Sequence, residues 1–541
     1  MANAIETQDL PKAGGLRIVR LLKKYASFIG PGIMVSVAYM DPGNYSTAVA
    51  LGADYKYLLL VVVFMSNVFA VILQCLCVKL GSVTGLDLAE MCRLAFPWWL
   101  NLIMYVCSEF AIIATDLAEV VGTAIALEIL FGIPLIIGTF ITVLDVLCVL
   151  LAYHKDGTMR QTRLFEIIVS ILVAATCVCF VWELFSVDFA PGSVKQILRG
   201  YLPLDGSLFK ELNALFLSCG IVGSTVMPHS LFLGSLIVQS RLKDYDAQKG
   251  IPSALFSEIS EVNNSAVRPS LSPELVDDPL PITHSKFRQI SDGSSLARKY
   301  KPSYAAIKHC LTFSYTELVL SLFLIAVFVN SAILIVAGAT LYGKPEADDA
   351  DLLSIYELLS HYISPAAGLV FALSMLFSGQ SAGIVCTMAG QIISEGFINW
   401  SFKPWVRRLV TRVLAIVPVV IFMAVLGREG VSTIMNLSQV ILSFILPVVT
   451  APLIYFTATK KYMTVYELND PNVAQNSETS ALLTNQISRR YYDLEPANAD
   501  TLRKYTFENS FWLNAVAIAT WITITFLNLY LIYLYSIGVQ V

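Results

Sequence analysis

Between Gly30 and Leu51 the chain reads G-P-G-I-M-V-S-V-A-Y-M-D-P-G-N-Y-S-T-A-V-A-L, an apolar stretch interrupted near its middle by Asp41-Pro42-Gly43-Asn44. Proline removes a backbone donor and clashes with the preceding turn, and glycine lowers helix propensity further. At membrane depth such a break is tolerated only where the freed backbone groups are buried in protein or line a polar cavity. The rest of the chain must therefore surround this point with partners. Asp41 and Asn44 bracket it with side-chain oxygens, which are hard ligands for a cation. A bent helix with a solvated aspartate is the plainer reading, but a kink needs no carboxylate, and ionisable residues within the membrane usually mark a functional site.

Composition agrees with a membrane setting. Of 541 residues, 56% are hydrophobic and 14% charged, against about a quarter charged in soluble domains. That balance excludes a soluble enzyme. A net charge of −4 offers no basic surface for nucleic acid. The ten cysteines lie mostly inside apolar runs, so they do not form a secreted disulfide framework. Cys75/Cys77 and Cys177/Cys179 are each two apart, on nearly opposite faces of a helix, which argues against a shared metal. No cleavable signal peptide is visible.

Eleven stretches are long enough to span a bilayer: 26–51, 56–80, 99–130, 134–152, 164–186, 211–240, 311–340, 365–397, 405–426, 432–457 and 510–535. Lysine and arginine concentrate in alternate loops (153–163, 241–310, 398–408 and 458–508), while Glu346, Asp348, Asp349 and Asp351 make one intervening loop acidic. The positive-inside rule then puts the N-terminus in the cytosol and the C-terminus on the other side. The expected organisation is a cytosolic tail (1–25), a first repeat of five spans (26–186), a second repeat of five (187–457), a cytosolic loop (458–509), and an eleventh span with the C-terminus (510–541). The polar insertions 241–310 and 458–509 read as mobile cytosolic loops. The second contains Glu478-Thr-Ser-Ala-Leu482-Leu483, similar to an acidic dileucine signal that sorting adaptors read. The sequon at Asn263 falls on the cytosolic side of this topology, where it would not be used.

A second interruption answers the first. In the sixth span, Gly223-Ser-Thr-Val-Met227-Pro228-His229-Ser230 again puts proline and polar atoms at mid-helix. Paired breaks at corresponding positions of two halves point to a transporter site, and breaks in spans one and six imply two five-span repeats of inverted topology. Met227 adds a thioether, which Fe²⁺, Mn²⁺ or Cd²⁺ can use and Mg²⁺ or Ca²⁺ would not favour. Methionine in a membrane helix is more often plain packing, but this one directly precedes the break.

With D-P-G-N and M-P-H together, the chain resembles the natural resistance-associated macrophage protein (Nramp) family of divalent-metal transporters over nearly its whole length outside the tails and long loops. A-T-D-L-A-E-V-V-G-T-A at Ala114–Ala124 and S-G-Q-S-A-G-I-V-C-T-M-A-G-Q at Ser378–Gln391 fit as well. P-E-A-D-D-A-D-L-L-S-I-Y from Pro345 to Tyr356 is similar to the fungal vacuolar branch. The resemblance implies an all-α LeuT-like fold and proton-linked movement of Fe²⁺ or Mn²⁺ into the cytosol, with no permanently bound cofactor. Matched motif by motif, it implies metal ligands at Asp41, Asn44 and Met227, a backbone carbonyl near Ser224, and Gln439 of N-L-S-Q in span ten joining in some states. Ser230 stands where many relatives have asparagine; lying beyond the ligands, it is expected to matter little.

A proton route needs ionisable groups within the membrane. Glu109, Asp116 and Glu119 sit at i, i+7 and i+10 of span three, on one helical face. Three acids facing lipid would be prohibitive, so that face must line a cavity or meet cations. Arg408 and Arg412, four apart at the start of span nine, are candidate partners. The resemblance assigns Asp116 and Glu119 to proton movement, and helical spacing adds Glu109. A purely structural ion-pair network is the alternative. His229, two residues past Met227, is a candidate for gating or proton transfer. Besides a metal–proton symporter, the sequence leaves open an amino-acid or organic-cation carrier of the same fold, a plasma-membrane importer, and a metal sensor that does not transport. An embedded metal-dependent hydrolase is disfavoured because no H-E-x-x-H cluster is present and the five histidines are scattered.

Overall fold

The computed structural model describes residues 31–142, 159–203, 208–249, 300–344, 352–399, 404–427, 429–468 and 502–538. The first span is two short helices, α1 (Pro31–Val37) and α2 (Pro42–Tyr55), meeting at the Asp41–Pro42 break. Then follow α3 (Leu60–Thr84), α4 (Leu88–Ala95), α5 (Trp98–Phe131), α6 (Met159–Ser186) and α7 (Ser193–Gly200). The sixth span is also divided, into α8 (Leu212–Val226) and α9 (Pro228–Ile237), with α10 (Gln239–Gln248) continuing from it. The seventh comprises α11 (Tyr304–Ser321) and α12 (Phe328–Thr340), joined by a π-helical turn at Leu322–Val327. The remainder is α13 (Leu352–Tyr362), α14 (Pro365–Ile398), α15 (Pro404–Leu426), α16 (Glu429–Ala458), a ribbon of β1 (Thr464–Leu468) and β2 (Leu502–Thr506), and α17 (Phe511–Ser536).

The expected spans match these helices to within a few residues, with informative departures. Nine described helical stretches, counting α8–α10 and α11–α12 as one each, are long and apolar enough to cross a bilayer, against eleven expected. The first span drops out because the break leaves two pieces that are each too short. The fourth lies partly outside the described residues, which show helical backbone from 135 to 142. The two insertions are less open than their composition suggested. Helix α10 carries the chain on to Gln248, and Asp246 on it accepts hydrogen bonds from the Tyr300 hydroxyl (2.6 Å) and the Ser303 hydroxyl (2.6 Å) and amide (3.1 Å), clasping the far end of that insertion. The ends of the second insertion pair antiparallel, Thr464 opposite Thr506, so the chain is not wholly α-helical. Tyr505 of β2 stacks on Tyr304 at 3.7 Å, tying the root of one insertion to the other. The acidic segment at 346–351, the Asn263 sequon and the dileucine motif lie outside the described residues.

Helix contacts follow the symmetry of inverted repeats. The third and eighth spans, α5 and α14, pack along each other at the centre. The second half of the first span packs on the seventh (α2 on α12), and both halves of the sixth pack on the second (α8 and α9 on α3). The sixth also packs on the tenth (α8 on α16), as α1 does on the fifth (α6). Exchanging each span with the one five later converts the first contact of each pair into the second, as two repeats in one fold require.

Small residues permit the close approaches. A side chain on Gly122 of α5 would place its first carbon 2.1 Å from Pro42 Cβ, and one on Gly223 of α8 would lie 2.0 Å from the Gln439 carbonyl on α16. Without a hydrophobic driving force between helices in lipid, such backbone contact supplies much of the association. Helices α6, α15 and α17 keep apolar side chains exposed on the outside (Val178, Ile421 and Phe526 among them), as lipid-facing surfaces do.

Candidate metal and proton site

The break in span one is held by its own residues. Asp41 is the N-cap of α2, and its Oδ1 accepts from the Asn44 amide at 3.0 Å and from Asn44 Nδ2 at 3.1 Å. Such a cap satisfies donors that the proline-started helix leaves free. The Met40 carbonyl, one of the groups the break exposes, accepts a hydrogen bond from the Ser378 hydroxyl of α14. At the second break Met227 is fully buried and adopts φ +24°, ψ 108°, a left-handed strain few non-glycine residues adopt. Strain of this kind concentrates at functional sites.

Asn44 joins the two breaks. Its Nδ2 also donates to the Ser224 carbonyl at 3.2 Å. Gln439 of α16 closes the same place from the side: its amide packs so tightly on Gly43 that any Cβ there would fall 2.0 Å from Nε2. Asp41, Asn44, Ser224, Met227 and Gln439 are thus all buried at or against the two interruptions. Three acceptors in this group have no hydrogen-bond partner: Asp41 Oδ2, Asn44 Oδ1 and Gln439 Oε1. Buried oxygens are normally satisfied, and each orphan costs about 1–3 kcal/mol. Oxygens of this kind, with one carboxylate among them and a thioether beside them, suit a borderline divalent cation.

Ser230 does lie beyond these residues, yet it has more to do than the sequence suggested. Its hydroxyl donates to the Met227 carbonyl at 2.8 Å, and Gln74 Nε2 of α3 bonds both Ser230 Oγ and Tyr39 Oη at 2.9 Å. The Met227 carbonyl is thus capped from within α9, by the Ser230 amide (3.1 Å) and hydroxyl, and Gln74 ties that hydroxyl to the second and first spans. Sequence reasoning missed Gln74 and Tyr39. A glutamine in the middle of an otherwise apolar span was the available signal.

Beside the breaks runs a ladder of charges between α5 and α15. Asp116 pairs with Arg408, Glu119 accepts from Arg408 at 3.2 Å and from Arg412 at 2.5 Å, and all four side chains are at most 3% exposed. Arg412 Nη1 also reaches the Asp116 carbonyl at 3.4 Å. Glu109 faces the same helix but departs from expectation. Its partner is Arg407, whose Nη2 donates to both carboxylate oxygens at 2.7 and 2.8 Å, and the pair is partly exposed. Residue 407 is one helical step from 408, which turns it toward the wetter end of the α5 face. Three carboxylates thus meet three guanidiniums. Asp116, Glu119 and Cys386 could by distance share an ion, but the two guanidiniums already neutralise both acids there. His229 is buried beside the ladder, with Nδ1 3.3 Å from the hydroxyl of Thr115, the residue preceding Asp116. Gly383 of α14 leaves room for Glu119, whose Oε1 would be 2.1 Å from any Cβ at that position.

Two inverted repeats, each with a broken first helix, and a polar site where the breaks meet define a LeuT-type transporter fold. Similarity to known proteins narrows this. A model of the family described as natural resistance-associated macrophage protein-like matches residues 32–268 and 286–476, and the chain belongs to that family. It is 51% identical to the iron transporter SMF3 of Saccharomyces cerevisiae, over 97% of this chain and 99% of that one. It is 44% identical to the manganese transporter SMF1 of the same yeast, over 95% and 86%. The crystal structure of the Eremococcus coleocola manganese transporter superposes with a TM-score of 0.64 at 28% identity, covering 97% of both chains.

The ladder's two ends should respond differently to substitution. Arg412→Gln leaves a buried carboxylate short of its partner and should cost about 3–5 kcal/mol. Glu109→Gln, in a half-wet pair, should cost no more than about 1 kcal/mol. Thermal unfolding of the purified variants in detergent measures both, and equal losses would mean that burial does not grade the ladder.

Proposed function

We propose that this chain is a proton-coupled secondary transporter that moves Fe²⁺, Mn²⁺ or both into the cytosol. The observation that carries the reading is the trio of buried, unpartnered oxygens on Asp41, Asn44 and Gln439 where the broken helices meet. The names of the relatives, iron and manganese transporters, support the choice of ions. An amino-acid carrier on this fold would not need Asp41, Asn44 and Met227 together, and the sequence holds no H-E-x-x-H cluster for an embedded metal-dependent hydrolase. Neither reading gains an observation of its own.

In this mechanism Asp41 supplies the charge, Asn44, Gln439 and the Ser224 carbonyl supply neutral oxygens, and the Met227 sulfur selects against hard ions. Metal binding displaces any proton on Asp41. Glu119 lies near enough to act electrostatically on Asp41, so the ladder is the adjacent acceptor. Asp116 Oδ2, the oxygen that no donor holds, is where a travelling proton can bond without first breaking the Arg408 pair. Protonation there removes one of the two charges that Arg408 neutralises and leaves its guanidinium to Glu119 alone. His229, against Thr115, stands between the second break and this acid.

Direction and place rest on charge and motif. The loops rich in lysine and arginine fall on the side taken as cytosolic, and the acidic residues at 346–351 fall opposite. The branch resemblance and the acidic dileucine at Glu478, Leu482 and Leu483 favour a vacuolar or late-endosomal membrane. From such an acidic lumen the proton and the metal would leave together. A plasma-membrane importer would use the same chemistry in the same direction.

Asp41→Ala should abolish Mn²⁺ uptake into proteoliposomes. Met227→Ala should retain uptake but lower discrimination of Cd²⁺ over Ca²⁺ by about tenfold or more, because the soft ligand is gone. Unchanged discrimination would reduce Met227 to packing. Asp116→Asn should preserve Mn²⁺ binding by calorimetry yet lose most metal-evoked acidification of the vesicle interior, since an amide cannot carry the proton. Full acidification would remove the ladder from the proton route. Imaging the tagged chain, with Leu482 and Leu483 intact or both alanine, tests the organelle. Surface residence of the intact protein, unmoved by the alanines, would leave the importer.

A further inference from the structure

One buried acid takes no part in the ladder or the metal site. Glu183 lies in the last turn of α6, 1% exposed, and its Oε1 has no hydrogen-bond partner. It lines a small cavity walled by Val49 of α2, Phe180 of α6, Val336 of α12, Ile355 and Leu359 of α13, and Phe371 of α14. The cavity's free volume, about 10 Å³, is room for one water molecule at most. No arginine or lysine of the described residues forms an ion pair with it.

Its surroundings identify the membrane face. Glu183 ends span five, Val49 and Val336 lie toward the ends of spans one and seven, and Phe371 lies near the start of span eight. All these positions fall at the side that carries the acidic 346–351 loop, opposite the basic loops. Phe180 packs on Tyr45, ring centroids 5.3 Å apart, and Tyr45 directly follows Asn44. The cavity therefore sits in the wall between that face and the broken helix.

We propose that Glu183 is a proton-binding residue that makes closure of this wall depend on pH at the acidic-loop face. As a neutral acid it fits the apolar cavity with at most one water. As a carboxylate it must be hydrated or paired, and the cavity offers neither. Ionisation therefore favours the state in which α13 and the start of α14 move off α6 and α2 and admit water; protonation favours the packed state. Among titratable groups on the packed elements, Tyr45 of α2 faces the same region with its hydroxyl on the Ser374 carbonyl of α14 at 3.3 Å, and Cys179 lies one turn back on α6. Glu357 and His361 of α13 point to its exposed side, and Lys344 beyond α12 covers the Tyr362 ring. None of these supplies a charge to Glu183 within the cavity. The device is independent of which ion is carried.

Hydrogen–deuterium exchange of the full chain in nanodiscs tests it without a transport assay. Exchange is compared at about pH 5.5 and about pH 7.5 after correction for intrinsic rates. Protection of residues 352–362 should fall about tenfold at the higher pH in the wild type. Glu183→Gln, a permanently neutral isostere, should stay protected at both, while Glu183→Asp should recover the fall. His361→Gln should behave as wild type, because that imidazole lies on the exposed side of α13, outside the cavity. A wild-type protection that ignores pH, a Glu183→Gln variant that keeps the wild-type fall, or a His361→Gln variant that loses it would each overturn the proposal.

Discussion

A backbone broken inside a membrane has to find partners within the protein, and in this chain that demand fixes the neighbours of both interruptions. Ser378 takes the Met40 carbonyl, Ser230 takes that of Met227, and Asn44 takes that of Ser224. The last of these runs from one break to the other, so the two repeats are joined at the point where each is weakest. Glycines at 43, 122 and 223 bring the partner helices close enough to serve. In the proposed function, the oxygens of Asp41, Asn44 and Gln439 that remain unsatisfied after this arrangement are those offered to a cation. Backbone satisfaction thus precedes the site, and the site is what it leaves over.

The charge ladder answers a second demand. Two carboxylates almost wholly removed from solvent on α5 would be untenable alone, and α15 meets them with Arg408 and Arg412 while its other face stays apolar toward lipid. The cost of desolvating these ions is recovered only through good geometry, which is why small residues such as Gly383 surround them. A network balanced this closely is sensitive to a single proton. Within it Asp116 Oδ2 has no hydrogen-bond partner, and it is the acceptor that the proposed proton route uses.

Much of this was legible in the chain. The D-P-G-N and M-P-H interruptions in apolar stretches located the breaks because each sets proline among polar residues; Pro418, Pro447 and Pro452, in apolar surroundings, stay inside continuous helices. The period of 3.6 put Asp116 and Glu119 on one face and predicted their cations. Less legible were features that depend on partners distant in sequence. Arg407 and Arg408 are adjacent, and only the docking of α15 decides which one meets Glu109. Gln74 and Ser230 are unremarkable polar residues until α3 and α9 bring them together, Ser230 on the Met227 carbonyl and Gln74 on the Ser230 hydroxyl. The ribbon of Thr464–Leu468 with Leu502–Thr506 lies at the ends of a segment whose polar composition suggested only a loop, and such pairing across thirty-odd residues leaves little local signature.

The link from Asn44 to Ser224 also bears on how cargo could govern shape in the proposed cycle. A ligand shifts a conformational equilibrium only through contacts that differ between the states. Without metal, the two broken spans are joined directly, among the described residues, by two neutral hydrogen bonds, Asn44 to the Ser224 carbonyl and Tyr39 with Ser230, each worth about 1 kcal/mol net. A cation bound by Asp41 and Asn44 on one repeat and by Ser224 and Gln439 on the other would replace the first of these with several coordinate bonds. Those bonds exist only while both repeats face the ion, so relative movement of the repeats changes the number of ligands it can keep. Gln439 sits on α16, outside both broken spans, and is the ligand such movement would add or remove first. Cargo and conformation are then coupled through the ligand count itself, with no separate relay between them.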